Sequence, residues 1–305
     1  MRKRIVQRLL QGLIVLFGVS LLAFFLIRLG GDPVLALLPA DASDQQKEML
    51  REAMGLNENI VTQYLIYMKG IFSGDFGYSY FYQMNVSDII VSRLPQTLKL
   101  GGAALLLGTL VAFPFGIIAG IKKGSGVDFG AMFFAIIGNS MAEVWLAMLL
   151  VLIFSVKLHW LPTQGNNGFQ SLILPMIVCA FGFCANTTRM LRSQMVEVLE
   201  EDYITATRAR GISNFQVNYK YALRNALLPV VTMLGGSIGT LLAGSIVVEN
   251  VFAWPGLGQV MTLAIQNRDY QLVQSIMLID SFVMVLANLL ADMAYSFIDP
   301  RISFN

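Results

Sequence analysis

Six apolar runs, each long enough to cross a lipid bilayer, constrain this chain more than any other feature of its sequence. A membrane-spanning helix needs about 20 mostly apolar residues. Hydrophobic residues make up 56% of the 305 residues and charged residues only 13%, whereas soluble proteins carry about 25% charge. The sequence therefore predicts an all-α membrane protein with six transmembrane helices. The predicted spans are approximately Leu9–Leu29, Leu100–Ile121, Phe129–Val156, Leu172–Met190, Leu227–Val248 and Ile276–Phe297.

The first apolar run follows a basic start and could be mistaken for a secretory signal peptide. Its length exceeds that of a signal-peptide core, and the small-residue sequence Ala40-Asp41-Ala42 lies too far downstream to be its cleavage site. We therefore expect this run to be retained as a span.

The distribution of basic residues predicts the orientation of the spans. Thirteen of the 21 Lys and Arg residues fall in short segments on one side when the N-terminus is placed inside. Because cytoplasmic loops carry an excess of Lys and Arg, this bias places both termini in the cytoplasm. These residues are Arg2, Lys3, Arg4, Arg8, Lys122, Lys123, Arg189, Arg192, Arg208, Arg210, Lys220, Arg224 and Arg301.

The long outer segment between the first two spans contains helical patterns. Residues Asp44 to Met54 and Ile60 to Phe72 are predicted to be helices, and the second places Ile60, Tyr64, Met68 and Phe72 on one stripe. That helix either lies on the bundle or lipid surface, or forms a rim that receives an external partner. We expect three regions: residues 1–30 with the first span, an extracytoplasmic helical segment 31–95, and a core domain 96–305 with the other five spans.

Charge, cysteine and histidine content bear on other classes of protein. A net charge of +2 argues against a nucleic-acid binder, which concentrates basic residues on one face. Cys179 and Cys184, five residues apart on a helix, point in different directions, so two buried thiols are expected rather than a disulfide. His159 is the only histidine, and one histidine cannot build a zinc protease site.

A polar island, residues 197–228, separates the fourth and fifth spans. The pattern predicts one helix over 197–210, a break at Gly211, and a second helix capped by Ser213 or Asn214 and ending near Asn225. Leu199, Tyr203 and Ala206, with Val198 and Ile204, are expected to form an apolar edge on the first helix. Such a short helix can insert into a groove on a soluble partner.

Motifs across the chain resemble those of bacterial ABC importer permeases, in the branch that imports dipeptides, oligopeptides, glutathione and nickel or metallophore complexes. This chain has Thr205-Ala206-Thr207 where that branch commonly has Arg-Thr-Ala, which changes one charge but not the length or the hinge. The motifs are Asp202-Tyr203-Ile204, Arg208-Ala209-Arg210-Gly211, Leu223-Arg224-Asn225-Ala226 and Leu228-Pro229 in the island, and Gly31-Asp32-Pro33, Gly74-Asp75-Phe76-Gly77, Trp160-Leu161-Pro162, Glu249-Asn250-Val251-Phe252, Trp254-Pro255-Gly256-Leu257-Gly258 and Arg268-Asp269-Tyr270 elsewhere.

The resemblance implies the type I permease architecture in the bacterial inner membrane. It also implies a second, nonidentical permease, an external solute-binding protein and two cytoplasmic ATPase subunits that bind ATP and Mg²⁺. This chain lacks the G-x-x-x-x-G-K-[ST] phosphate-binding motif, so no ATP chemistry is expected from it. The residues that the resemblance assigns to coupling with the ATPase are Glu201, Asp202, Tyr203, Thr205, Ala206, Arg208, Arg210 and Gly211.

Ionisable residues at membrane depth are costly and therefore candidates for function. Glu143 lies in the third predicted span, and Asp280, Asn288 and Asp292 lie in the sixth. Glu143, Asp280 and Asn288 are expected to face the translocation path, with Glu143 favouring a cationic group. Alternatively, the Glu143 carboxylate is paired within the bundle or protonated. The side chains of Asp280 and Asp292 could instead reach the outer and inner membrane interfaces.

Two other classes of protein stay open at this stage. A membrane-embedded enzyme would need a histidine cluster or a serine–base pair, and neither is evident. An ion-coupled secondary transporter would need no ATPase partner and gives no reason for the island. The transported substrate is not determined by these motifs.

Overall fold

Long helices carry the apolar runs predicted from the sequence. The computed structural model describes residues 2–29, 34, 43–53 and 57–298. A two-residue antiparallel pair, β1 (Tyr78–Ser79) and β2 (Met84–Asn85), interrupts the helices. The helices are α1 (Arg2–Leu29), α2 (Asp44–Ala53), α3 (Ile60–Ser73), α4 (Val86–Ile121), α5 (Gly126–Ser140), α6 (Glu143–Leu150), α7 (Phe169–Leu199), α8 (Asp202–Ala209), α9 (Asn214–Gln216), α10 (Leu223–Ala243), α11 (Ile246–Val251), α12 (Leu257–Gln266) and α13 (Tyr270–Ile298), with π-helices at Val151–Lys157 and Val217–Ala222.

The third predicted span is broken. Within the described residues, five helices are long and apolar enough to cross a membrane, and the bent pair formed by Gly126–Ser140 and Glu143–Lys157 raises the number to six. The chain bends by 108° between the two helices of that pair, because Met141 and Ala142 adopt extended backbone. Asn139 and Ser140 precede the break, and such short polar side chains favour helix ends. The third predicted span, Phe129–Val156, is therefore present as a bent pair of helices instead of one continuous helix.

One compact unit comprises Leu98–Trp254 and the chain from Met284 onward. Its helices approach closely where glycines face a neighbour. A Cβ on Gly101 of α4 would lie 2.1 Å from the carbonyl oxygen of Leu241 on α10, and a Cβ on Gly138 of α5 would lie 2.5 Å from the Cβ of Ala185 on α7. Small residues thus let backbones meet, as is usual for helices in membranes.

Trp254 lies at the centre of an apolar cluster in this unit. Its side chain is fully buried and packs with Leu100, Leu172 and Val248. The Lys99 ammonium lies 5.7 Å from its ring centroid, a cation–π distance. From the sequence alone, Trp160 and Trp254 are both interpreted as anchors at the membrane interface. The burial of Trp254 contradicts this interpretation, whereas Trp160 is 65% exposed and fits such a position.

The second compact unit comprises Arg2–Thr97 and Pro255–Val283. Helix α3 lies on α1, since Tyr64 contacts Phe24 edge-to-face at 5.1 Å and shares a 2.8 Å hydrogen bond with Ser20. Burial raises the pKa of Tyr67 to about 12. Tyr64 of the predicted stripe faces α1, whereas Phe72 at the end of the stripe is 84% exposed.

The outer motifs of the sequence meet in this second unit. The buried Asp269 carboxylate accepts hydrogen bonds from the Ser79 hydroxyl, from Phe81 N at 3.3 Å and from Leu272 N at 3.3 Å. Gln271 Nε2 donates to the Phe76 carbonyl at 3.1 Å. These bonds fasten the β1–β2 hairpin to the start of α13.

Some predictions for these regions concern residues that the structure does not describe. The predicted α2 helix is present as Asp44–Ala53, but Met54 lies outside the described residues. The Gly31-Asp32-Pro33 motif and the Asp292 side chain also lie outside them. The cysteine prediction is confirmed, because Cys179 and Cys184 are free and buried.

Candidate functional site

Within the polar island, one short helix, α8, is separated from the long helices α7 and α10 that enter the island from either side. Helix α7 ends at Leu199, Glu201 adopts extended backbone, and α8 begins at Asp202. The prediction of one helix over 197–210 was therefore wrong. The successive carboxylates of Glu200, Glu201 and Asp202 explain the break. Acidic side chains are unfavourable at the C-terminal end of a helix, where the macrodipole is negative, and favourable at the N-terminal end, where it is positive.

The glycine hinge lies where the sequence placed it. Gly211 has φ +76°, a left-handed conformation that glycine adopts without strain. Gly211 N donates to the Arg208 carbonyl at 3.0 Å. The Ser213 hydroxyl then accepts from Gln216 N and caps α9. Both the hinge and the cap are as predicted.

The second predicted helix does not end near Asn225. From α9 the chain continues through the π-helix Val217–Ala222 into α10 with right-handed helical backbone at both junctions. The fifth span therefore extends as a helix into the polar island, and α8 lies beside that extension.

Two side chains fix α8 to the rest of its compact unit. Ile204 is fully buried and Thr207 is 8% exposed, and three-residue spacing places them on one face. Ile204 packs in an apolar cluster to which α7 and the α9–α10 segment also contribute. Tyr203 and Ala206, which the sequence placed on the apolar edge together with Ile204, are exposed.

The opposite face of α8 is open. All eight residues predicted to couple with the ATPase are exposed, as are the short side chains of its outward stripe, Thr205, Ala206 and Ala209. Acidic residues lie at its start and Arg208 in its last turn, in accord with the macrodipole. We call this open face, residues 201–211, the coupling surface. Its predicted residues are Glu201, Asp202, Tyr203, Thr205, Ala206, Arg208, Arg210 and Gly211.

Sequence reasoning missed an exposed aromatic pair just past the hinge. Phe215 is 71% exposed and Tyr219 is 41% exposed, and their ring centroids lie 4.7 Å apart. Two aromatic residues four apart in a water-facing helical segment were the signal that could have found them. Exposed aromatic side chains are typical of protein interfaces.

A hydrogen bond between α8 and α10 was also not predicted from the sequence. Asn225 Nδ2 donates to the Tyr203 hydroxyl at 2.6 Å. Both residues belong to recognised motifs, but 22 positions separate them, so no local pattern announces the contact.

Two ion pairs lie near the coupling surface in the same unit. Lys123 pairs with Glu200, at the turn between α7 and α8. Asp128 is 4% exposed and accepts two hydrogen bonds from Arg192 of α7 and one from Gly124 N. The loop between α4 and α5 is thereby tied to the helix that leads into α8.

The three candidates for the translocation path occupy different settings. Glu143 is exposed at the first position of α6, directly after the break, and accepts a 2.7 Å hydrogen bond from the Ser245 hydroxyl. Ser245 itself caps α11. Asn288 lies on α13 against Gly239 of α10, where a glycine Cβ would be 2.8 Å from its Oδ1. Asp280 lies on the part of α13 that belongs to the other compact unit.

Apolar helices of membrane-spanning length, with a short exposed helix held between two of them, define a multi-pass membrane protein. Comparison with known proteins gives the family. The chain belongs to the binding-protein-dependent transport system inner membrane component family, whose model matches residues 112–304. The model of the N-terminal region of such membrane components matches residues 1–101.

Curated relatives match over almost the whole chain. The oligopeptide transport system permease protein AppB of Bacillus subtilis is 36% identical over 98% of this chain and 99% of its own length. The glutathione transport system permease protein GsiC of Escherichia coli K12 is 38% identical over 98% of both chains. Both relatives are permease subunits, and the similarity extends over almost the whole length of each.

Solved structures support the fold. A chain of the MetNI methionine ABC transporter in an inward-facing conformation is 18% identical and covers 69% of this chain and 96% of its own, with a TM-score of 0.57. An amino acid ABC transporter solved with histidines gives a TM-score of 0.55 at 16% identity, over 71% of this chain and 95% of its own.

The protein is therefore a permease subunit of an ABC importer in the bacterial inner membrane, and it works with the ATPase and solute-binding components of such a system. It is not itself an enzyme, and the ion-coupled transporter and membrane-enzyme alternatives fall away. The residue roles assigned from the motifs stay predictions.

Proposed function

We propose that this permease forms the translocation path for peptides or related small solutes, including glutathione or metal complexes. A nonidentical second permease completes the path, an external binding protein delivers the solute, and two cytoplasmic ATPase subunits bind ATP and Mg²⁺. The observation that carries the proposal is the full-length similarity to permeases named for oligopeptide and glutathione transport. Both named solutes are peptides.

The substrate class is tested by purifying the native complex through a tag on this chain. ATPase activity is measured with dialanine, trialanine, glutathione and a nickel–histidine complex, each presented on the co-purified binding protein. Stimulation by the peptides, with little response to the nickel complex, is expected. Stimulation by the nickel complex alone would assign the metal branch instead, and a complex without an ATPase subunit would overturn the proposal.

The coupling surface is the part of this chain that receives the ATPase subunit. Its anchor is the buried face of α8, through Ile204 and Thr207, so the exposed face remains available to a partner. Thr205, Ala206 and Ala209 have short side chains, which allow the backbone of α8 to enter a groove. The exposed ring of Phe215 extends the contact beyond the hinge.

Two substitutions at one exposed position test this docking. Ala206→Trp adds bulk on the outward stripe without touching the buried face, and Ala206→Ser keeps the side chain small. Membrane insertion is expected to be normal for both variants. The tryptophan variant should recover much less ATPase subunit in a tag pull-down, while the serine variant matches the unsubstituted protein. Equal recovery with both variants would place the ATPase contact elsewhere.

Glu143, Asp280 and Asn288 are proposed to face the translocation path, and Glu143 has the best support. Helix α5 rises about 22 Å over its 15 residues, so the break that follows lies within the roughly 30 Å hydrocarbon thickness. An exposed carboxylate at that depth is too costly to face lipid. A water-filled path that carries the ammonium group of a peptide gives it a favourable surrounding.

Glu143→Gln tests this role because it keeps the shape and the hydrogen bond from Ser245 while removing the charge. Uptake of trialanine is expected to slow, while the amount of complex in the membrane stays the same. An unchanged rate for trialanine and glutathione across pH 5 to 8 would exclude a role for the carboxylate in the path.

A further inference from the structure

Helix α8 is held to its compact unit by two kinds of contact. The first is apolar, from Ile204 into the cluster formed with Val217, Ala222 and Ala226. Apolar contact is non-directional. It fixes how deeply α8 is seated but opposes rotation of the helix about its own axis only weakly.

The second contact is directional. Asn225 Nδ2 donates to the Tyr203 hydroxyl at 2.6 Å, and a hydrogen bond weakens steeply when its angle departs from linear. Among the residues that the structure describes, it is the only side-chain hydrogen bond from α8 to another helix. It therefore sets the angle of α8 relative to the start of α10.

The position of Asn225 gives that bond a consequence for transport. Asn225 lies in the first turn of α10, and α10 continues toward the fifth span at Met233–Val251. Tyr203 is 41% exposed and lies between the buried and outward faces of α8. A movement imposed on the outward face thus reaches Asn225 through one hydroxyl group.

We propose that Asn225 is a positioning residue that transmits the movement of α8 to the fifth span through its hydrogen bond with Tyr203. The proposal rests on the proposed function of α8 as the ATPase-docking helix. Without the bond, α8 still binds the ATPase subunit but rotates on the apolar contact of Ile204. Part of the movement that the ATPase subunits impose on α8 then does not reach α10.

The chain offers a matched control for the hydroxyl. Tyr219 has the same exposed fraction as Tyr203, 41%, and lies in the same segment, but its hydroxyl makes no hydrogen bond within the described part of the chain. Tyr203→Phe and Tyr219→Phe therefore each remove one exposed hydroxyl, and only the first removes the link. Asn225→Asp is the conservative variant, because its carboxylate can accept a hydrogen bond from the tyrosine.

The experiment measures solute moved per ATP hydrolysed. The complete complex is reconstituted into vesicles of phosphatidylethanolamine and phosphatidylglycerol with its binding protein, and uptake of radiolabelled trialanine and glutathione is followed beside phosphate release. Tyr203→Phe and Asn225→Ala are expected to lower the ratio by about twofold to tenfold, the range that one hydrogen bond spans. The double variant should lower it no further, and Asn225→Asp should keep most of it.

The outcomes separate this inference from the proposed function. A ratio for Tyr203→Phe equal to that for Tyr219→Phe overturns the inference while leaving the docking role intact. Loss of ATPase recovery with Tyr203→Phe also overturns it, because the bond would then serve assembly instead of transmission. Failure of the unsubstituted complex to bind an ATPase subunit or take up either peptide overturns the proposed function itself.

Discussion

Arg192 holds Asp128 through both sides of its guanidinium group, with Nε 2.9 Å from Oδ1 and Nη2 2.8 Å from Oδ2. This two-bond geometry is the strongest form of an arginine–carboxylate contact. It connects the first turn of α5 to α7, the helix that leads directly into the coupling surface.

Removing the Asp128 carboxylate should destabilise the protein. Asp128→Ala leaves the Arg192 guanidinium unpaired in a side chain that is only 25% exposed, and hydrogen bonds to charged groups are worth about 2 kcal/mol. Lys123→Ala breaks the Lys123–Glu200 pair, whose side chains are 55% and 65% exposed, at a cost below about 1 kcal/mol. Thermal unfolding in detergent should show a clearly lower midpoint for Asp128→Ala. Equal midpoints would contradict the importance of the buried pair.

Neighbouring glycines in α4 should respond very differently to alanine. A Cβ on Gly101 would lie 2.1 Å from the backbone oxygen of Leu241, whereas a Cβ on Gly102 would meet nothing within 4 Å. Gly101→Ala should therefore cost about 1–3 kcal/mol through overpacking. Gly102→Ala should be close to neutral or slightly stabilising. The amount of folded protein after solubilisation measures both, and a tolerated Gly101→Ala would show that α4 and α10 are less closely packed.

The hinge should depend on backbone conformation alone. No atom lies within 4 Å of a Cβ built on Gly211, but its φ is +76°. A left-handed backbone costs an ordinary residue about 1–2 kcal/mol and asparagine less. Gly211→Val should impair ATP-driven uptake while membrane insertion, followed by immunoblot, stays normal. Gly211→Asn serves as the control and should retain most activity. Normal uptake by a well-expressed valine variant would contradict the hinge role.

The two thiols should be unreactive in the folded protein. Cys179 is 9% exposed and Cys184 4% exposed, so a maleimide has little access to either sulfur. Mass spectrometry should find no adduct after brief labelling in mild detergent and two adducts per chain after denaturation in dodecyl sulfate. Rapid labelling of the folded protein would show that α7 is less enclosed than the structure indicates.

The sequence predicted the spans well because span length and composition are local properties of the chain. It did not predict the break after Ser140. Gly138, Asn139 and Ser140 weaken a helix locally, but the apolar pattern resumes directly after them, and the size of the bend depends on tertiary packing. The interpretation of Trp254 as an interfacial anchor was wrong for a related reason, because the burial of its side chain depends on Leu100 and Leu172 from distant helices.

The candidate site divides in the same way. The Gly211 hinge and the Ser213 cap follow from local backbone chemistry, and both were predicted. Which face of α8 is buried was not, because Ile204 and Tyr203 are adjacent and both can pack against apolar neighbours. The contact between Tyr203 and Asn225 depends on how α8 lies beside α10, which no local sequence pattern specifies.

The π-helix Val217–Ala222 has a bearing on how this chain tolerates changes in length. A π-helix closes its hydrogen bonds over five residues instead of four, so it accommodates one more residue than the α-helix on either side. Deleting a single residue there would let the segment revert to ordinary α-helix, with Asn214 and Leu223 still joined by continuous backbone. The junction between the hinge and the fifth span is thus a place where a one-residue deletion can be absorbed without breaking the helix.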